Sequence, residues 1–393
     1  MVLCGMNQQI SELIKTVLPH AAALRKELHT YPETALQESG TRERLIRWFE
    51  KMGVMPNVSL QDPLIGTDLV FQLEGNRNGL IGLRADMDAL PGEELTGVSY
   101  ASKNPGAMHA CGHDGHMAIL AGTAAVLSRM HPDSRPSVRF IFQPGEEEVC
   151  AGADLVEAGV CSGLQKVYAL HGFPGIPKQA VTAKPGIVTA AAGTFSVKFQ
   201  GESCHGAVPQ AGNNPLPSAA AFILKMSELH RQVSQQHGAV VSCCSVQAGG
   251  RSTNVIPGTA EVRGTVRFLD SEVGAFIEAQ LRRAAAECEH SYGTAAEIDY
   301  QCRYRLPVVN DQQEFERVQK TASAVLGEER FTRMERHTMV AEDFAFYLDR
   351  VPGCMFMLGM GETHAGLHSQ YFDFDDDLIE TGIQMMAHLA TDQ

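Results

Sequence analysis

The chain has 393 residues, of which 44% are hydrophobic and 20% charged, and its formal net charge is −14. This composition is typical of a globular protein, and the length favours two domains over one. The negative charge argues against a nucleic-acid partner and against binding to anionic lipid, and the apolar runs are too short to cross a membrane.

The first half of the chain alternates helical and strand patterns. Helical spacing covers Ala22–His29, Thr41–Met52 and Met117–Met130, and short β-rich runs cover Asp68–Leu73, Leu80–Leu83, Ser137–Phe142 and Val167–Leu170. Such alternation predicts an α/β fold with a mainly parallel central sheet.

The pattern changes after Lys184. The next segments are predicted as a strand, a helix, two strands, a helix and a strand: Thr194–Phe199, Leu216–His230, Val240–Val246, Thr259–Phe268, Glu272–Glu289 and Ala296–Arg303. This β-α-β-β-α-β order is ferredoxin-like. Alternation then returns, with a helix, a strand and a helix at Gln312–Val325, Cys354–Leu358 and Asp376–Leu389. We therefore expect one α/β domain, residues 1–186 and 307–393, interrupted by an inserted domain, residues 187–306.

Ten cysteines are scattered along the chain without a CxxC pair. In a chain of this size that pattern is typical of reduced thiols, and it predicts a cytoplasmic protein. The N-terminus lacks a basic segment followed by a long apolar run, so it is not predicted as a secretory signal.

Residues 109–116 read His-Ala-Cys-Gly-His-Asp-Gly-His and are followed by a predicted helix. Four of these side chains can bind a transition metal, namely His109, Cys111, His113 and His116. Histidines also occur at helix starts without any ligand role. A Cys-Gly-His core flanked by two more histidines favours a metal site.

Other polar residues follow predicted strands, where the active sites of open α/β sheets lie. Asp86 and Asp88 follow one strand, Glu146, Glu147 and Glu148 follow another, and His171 ends a third. Each has a simpler explanation as well, because the aspartates could end a strand, the glutamates could be a solvated run and His171 could be a core imidazole. His368 could likewise be a surface residue, and His364 competes with it.

Together these segments resemble the M20 metallopeptidase and aminoacylase family, in its amidohydrolase branch of hippurate hydrolases and auxin-conjugate hydrolases. The matching segments span nearly the whole chain: Arg84–Pro91, His109–His116, Phe142–Glu147, Leu170–Gly172, Asn254–Pro257, Gly264–Arg267, Ala341–Phe344 and Leu367–Ser369. The resemblance implies a catalytic α/β domain with an inserted lid or dimerisation domain.

The resemblance also implies the site. The metal ligands would be Cys111, His113, Glu147, His171 and His368, holding two divalent ions per subunit, zinc or manganese, with cobalt or nickel also compatible. Cys111 would bridge the two ions as a thiolate. Glu146 would be the general acid/base, although Glu148 adds a third acid nearby, and Asp88 would orient a ligand. His205 would reach the active site of a neighbouring subunit in a homodimer, and Asn254 would bind substrate.

The function implied is hydrolysis of the amide bond of N-acyl amino acids or related conjugates by a metal-bound water. Two alternatives stay open. Cys111 could act as a nucleophile without metal, activated by His113 or His109. The chain could instead be a non-catalytic, metal-binding relative of the same fold.

Overall fold

The computed structural model describes the backbone of residues 2–391 and the side chains of residues 6–391, so Cys4 lies outside the described side chains. The chain divides into two units. The first comprises Met1–Val188, Val308–Arg336 and Asp343–Gln393, and the second comprises Thr189–Pro307 and His337–Glu342. Residues 337–342 fall within the first domain of the predicted boundaries. They group with the second unit because the N–H of Ala190 donates to the carbonyl of Val340 at 2.9 Å.

Helices and strands alternate along most of the chain. The helices are α1 (Val2–Thr30), α2 (Ser39–Lys51), α3 (His113–Ser128), α4 (Glu146–Val149), α5 (Ala151–Glu157), α6 (Leu216–His237), α7 (Ser271–Tyr292), α8 (Gln312–Leu326), α9 (Ala345–Leu348) and α10 (Asp377–Thr391). The strands are β1 (Val58–Leu60), β2 (Leu69–Leu73), β3 (Arg77–Asp86), β4 (Leu90–Pro91), β5 (Ala107–Met108), β6 (Pro136–Gln143), β7 (Lys166–Phe173), β8 (Val181–Ala183), β9 (Gly186–Ile187), β10 (Ala191–Gln200), β11 (Cys204–His205), β12 (Val240–Ala248), β13 (Val255–Ile256), β14 (Thr259–Phe268), β15 (Ala295–Tyr304), β16 (Val309–Asn310), β17 (Phe331–Arg333) and β18 (Gly353–Gly359).

The first unit is built on an eight-stranded sheet in the order β1-β2-β6-β3-β7-β18-β8-β17. Its centre, β6-β3-β7-β18, is parallel throughout. The outer pairs β1–β2, β2–β6 and β8–β18 are antiparallel. The predicted α/β fold with a mainly parallel central sheet is therefore confirmed. Because the central strands run the same way, their carboxyl ends share one edge.

Helix α3 is the central helix of the first unit, since every residue from His113 to Leu127 is buried. Two glycines turn the chain into the helices that begin at the carboxyl edge of the sheet. Gly112 (φ 94°) precedes α3 and Gly145 (φ 59°) precedes α4. A positive φ favours glycine, which explains the glycines in Cys-Gly-His and Pro-Gly-Glu.

The second unit contains a four-stranded antiparallel sheet in the order β12-β14-β10-β15. Its main elements follow the β-α-β-β-α-β order, β10-α6-β12-β14-α7-β15, that the sequence predicts. Its core includes Phe195 and Val262 from the sheet and Phe222 and Leu281 from the two helices. Across the described part of the chain, no helix combines the length and hydrophobicity needed to span a membrane.

Candidate metal centre

Side chains from two loops, the starts of helices α3 and α4, and strand β7 meet near the carboxyl edge of the first unit's sheet. Sγ of Cys111 lies 3.4 Å from Nε2 of His171. Oε1 of Glu147 lies 3.8 Å from Nε2 of His113 and 3.2 Å from Nε2 of His368. The structure thus brings the five predicted metal ligands together.

The spacing of these atoms suits a metal site. Among the described residues, five sets of three side chains have donor atoms within 4.8 Å of one another, and three of these sets contain two or more of the predicted ligands: Cys111, His113 and His171; Cys111, Glu147 and His368; and His113, Glu146 and Glu147. Atoms bound about 2.0–2.3 Å from one ion lie roughly 3–4 Å apart. Among the described residues, the buried Nε2 of His113 has no hydrogen-bond partner. Buried polar atoms usually have partners, so this donor set fits divalent cations.

Two imidazoles are oriented by backbone carbonyls. Nδ1 of His113 donates to the carbonyl of Asp88 at 2.8 Å, and Nδ1 of His171 donates to the carbonyl of Gly172 at 2.8 Å. A ring that donates from Nδ1 keeps the lone pair on Nε2 for a metal. Burial, together with the neighbouring His116, lowers the pKa of His171 to about 3. His171 is therefore in the neutral form that binds metals.

His368 reaches the cluster from the loop after β18. Its backbone N–H donates to the carbonyl of Ala110 at 2.8 Å, which holds it beside the Cys111 loop. Its φ is 64°, in the left-handed region. For a residue other than glycine this conformation costs roughly 1–3 kcal/mol and persists where the surroundings enforce it. The hydrogen bond to Glu147 also raises the pKa of His368.

Carboxylates lie close to both Cys111 and His113. Burial and the carboxylates of Glu147 and Glu146 raise the pKa of Cys111 well above its usual value. Burial disfavours a charged His113, yet the carboxylate of Asp86 and others nearby raise the pKa of His113 to about 10. A thiolate at Cys111 therefore needs a cation beside it, and a divalent metal ion supplies that charge.

Asp88 holds the start of the helix that carries both site glutamates. Its carboxylate accepts the backbone N–H groups of Glu146 and Glu147, each at 2.9 Å. Carboxylates are favourable at this position because the first N–H groups of a helix lack partners within it. Glu146 itself is 6% exposed. Asp88 thus contacts His113 through its carbonyl and the glutamates through its carboxylate.

Two histidines of the 109–116 segment lie outside the predicted ligand set. Nδ1 of His116 donates to Asp86 at 2.7 Å, and its Nε2 accepts the N–H of Gly172 at 2.8 Å. Both of its nitrogens are therefore occupied. His109 is also buried, and burial lowers its pKa to about 3. Neither of its nitrogens has a hydrogen-bond partner among the described residues, but it belongs to none of the donor sets.

His116→Ala is expected to destabilise the protein by about 2–3 kcal/mol and to leave the number of bound metal ions unchanged. The loss of stability follows because the buried Asp86 and the N–H of Gly172 each lose a partner. Thermal unfolding and metal analysis of the folded variant measure the two effects. A folded variant that binds fewer ions would show that His116 is a ligand.

Two buried charged residues that support the site, Arg84 and Asp343, were not among the predicted site residues. The guanidinium of Arg84 is fully buried and donates to Asp86 at 2.8 Å and to Asp343 at 2.9 Å. Asp343 also accepts the side-chain amide of Gln143 at 2.7 Å and the N–H of Gly152 at 2.8 Å. Arg84 and Asp343 lie in segments that matched the family pattern. For Arg84, the signal in the sequence was a charged residue within an otherwise apolar stretch of strand β3.

The remaining predicted residues lie in the second unit. Strand β11, which includes His205, pairs with β13, which begins at Val255. The N–H of Gly206 donates to the carbonyl of Asn254 at 2.7 Å. His205 and Asn254 are therefore near each other, and both are exposed.

The α/β fold and this donor set define the protein as a metal-dependent hydrolase. The chain belongs to the peptidase family M20/M25/M40, whose model matches residues 82–392, and is a metallo-amidohydrolase. This confirms the family resemblance read from the motifs.

Similar proteins align over nearly the full length of the chain. It is 34% identical to an N-acetylcysteine deacetylase of Bacillus subtilis, over 93% of this chain and 95% of that protein. It is 33% identical to an N-acetyldiaminopimelate deacetylase of Shouchella clausii, over 92% and 95%. Among solved structures, the Bacillus subtilis YXEP protein, described as a dinuclear metal-binding peptidase of the M20 family, has a TM-score of 0.80 and 32% identity, covering 96% of this chain and 98% of that one.

Proposed function

We propose that the protein hydrolyses the amide bond of N-acyl amino acids, or of small conjugates of an acid with an amino acid, at a centre of two divalent metal ions. The observation that carries this proposal is the cluster of five metal-binding side chains with the buried Glu146 beside it. The named activities of two similar proteins, deacetylation of N-acetylcysteine and of N-acetyldiaminopimelate, support the substrate class.

The proposed ligands are Cys111, His113, Glu147, His171 and His368. Their sulfur, nitrogen and carboxylate donors suit zinc or manganese, and also cobalt or nickel. A divalent ion supplies Lewis acidity, which lowers the pKa of water and polarises a carbonyl group. Cys111 lies in two of the donor sets, which supports its proposed role as the thiolate shared by two ions.

Glu146 is the proposed general acid/base. It would accept a proton from the attacking water and return it to the nitrogen of the departing amine. Asp88 supports this role because it holds the backbone N–H of Glu146 at 2.9 Å. A fixed backbone limits where the carboxylate can move, and such positioning is a large part of catalysis.

The inserted domain is proposed to act as a lid and to form a homodimer. In this proposal His205 donates a hydrogen bond to the oxyanion in the partner subunit's active site, and Asn254 binds substrate. The exposure of both side chains and the family resemblance support these roles. We also propose a cytoplasmic location, because all nine cysteines within the described side chains are free.

The metal-free alternative, with Cys111 as nucleophile, is less compatible with the site. Burial and the nearby carboxylates raise the pKa of Cys111, whereas a nucleophilic cysteine needs a lowered one. Alkylation by iodoacetamide distinguishes a metal ligand from a metal-free nucleophile at Cys111. A coordinated thiolate is protected from alkylation when metal is bound, whereas a nucleophilic cysteine reacts whether or not metal is present.

The proposed function predicts amide hydrolysis that depends on added metal. The protein is stripped of metal, supplied with manganese, zinc, cobalt or nickel, and assayed for amine release from a panel of N-acyl amino acids. We expect release with at least one metal and none after chelation. Activity that survives complete metal removal would overturn the mechanism. Binding of two ions without release from any substrate would favour a non-catalytic relative.

A further inference from the structure

The turn between β6 and α4 is held by two buried carboxylates. Asp88 accepts the N–H groups of Glu146 and Glu147. Glu38 is the residue just before α2. Its carboxylate accepts the N–H of Gly145, the residue that precedes Glu146, at 3.0 Å. Three successive backbone N–H groups are thus fixed immediately around Glu146.

Glu38 connects this turn to two other segments of the first unit. It is 0% exposed. Its Oε1 accepts the N–H of Leu36 at 3.0 Å as well as that of Gly145, and its Oε2 accepts the hydroxyl of Thr67 at 2.8 Å. Leu36 has a φ of 61°, a strained value for leucine. One oxygen of Glu38 therefore stabilises both the Leu36 turn and the Gly145 turn.

We propose that Glu38 is a positioning residue for the hydrolytic reaction, which acts by fixing Gly145 and thereby the direction of Glu146. This inference rests on the proposed function. Without Glu38 the buried N–H of Gly145 has lost its acceptor, and the turn relaxes to restore one. A general base displaced by about 1 Å costs roughly 100-fold in rate.

The roles of the two carboxylate oxygens allow a sharp test. Glu38→Gln keeps Oε1 for Leu36 and Gly145, and its amide nitrogen can donate to the hydroxyl of Thr67 instead of accepting from it. Burial raises the pKa of Glu38 to about 7, so the uncharged amide resembles a form the carboxyl already adopts near neutrality. Glu38→Ala removes both oxygens. Thr67→Val removes only the contact to Oε2.

We expect Glu38→Ala to lower kcat by roughly 30–100-fold, with KM and metal content unchanged. Glu38→Gln is expected to keep kcat within about 3-fold of the wild type, and so is Thr67→Val, even if it lowers the melting temperature. Hydrogen exchange of the 144–149 backbone, measured on metal-free protein, is expected to be faster only in Glu38→Ala. This second readout does not depend on activity.

Each other outcome has a definite meaning. Equal loss of kcat in Glu38→Ala and Thr67→Val, loss of bound metal in Glu38→Ala, or a Glu38→Gln variant as slow as Glu38→Ala would overturn the positioning role. So would unchanged exchange of the 144–149 segment in Glu38→Ala. A wild-type protein that binds metal and hydrolyses no N-acyl amino acid would instead overturn the proposed function, and with it this inference.

Discussion

Glu146→Gln is expected to lower kcat for amide hydrolysis by about 10²–10⁴-fold while the metal ions stay bound. Loss of a general acid/base typically has an effect of this size. Glutamine keeps the shape of the side chain but cannot take up the proton. Glu146 is buried and outside the five proposed ligands, so its backbone contact with Asp88 and the metal content are expected to persist. Rates of amine release and metal analysis of the same preparation measure both.

Glu148→Gln is the matched control, because it makes the same chemical change two residues along the chain. Glu148 is exposed, whereas Glu146 is 6% exposed. We expect Glu148→Gln to retain a kcat close to that of the wild type. A large loss in Glu148→Gln with an active Glu146→Gln would assign proton transfer to Glu148 instead. A loss of metal in Glu146→Gln would show that this carboxylate is a ligand.

The sequence predicted the central sheet because buried parallel strands are short, apolar and β-rich, as β6 and β7 are. It also indicated where the chemistry lies, since residues after parallel strands share one edge of the sheet. It underestimated the first helix, which spans Val2–Thr30 where the pattern predicts Ala22–His29. Pro19 lies inside that helix, and its effect on a helical pattern is usually to end it.

The contacts that orient the site were beyond sequence reasoning. Glu38 and Gly145 are 107 residues apart, and no local pattern relates a carboxylate to a particular N–H in a distant turn. His116 shows the same limit, because its residue type and spacing suit a ligand. Only the positions of Asp86 and of the Gly172 N–H show that both of its nitrogens are occupied.

Cys111→Ala is expected to remove most of the bound metal and with it the hydrolytic activity. Loss of a partner that merely supports a ligand costs roughly 10–100-fold in metal affinity, and loss of a ligand costs more. Because Cys111 lies in two of the donor sets, the change is expected to affect both ions rather than one. Metal content after dialysis and the rate of amine release with excess metal are the measurements.

Cys354→Ala is the matched control for the loss of a buried thiol. Cys354 lies in β18 of the same unit, is 0% exposed, and belongs to none of the donor sets found among the described residues. We expect it to keep its metal and its activity even if removal of the buried sulfur lowers its stability. A Cys111→Ala protein that keeps both ions and its kcat would show that the thiol is not a ligand. Loss of one ion with the other retained would show that Cys111 binds only one of the two ions.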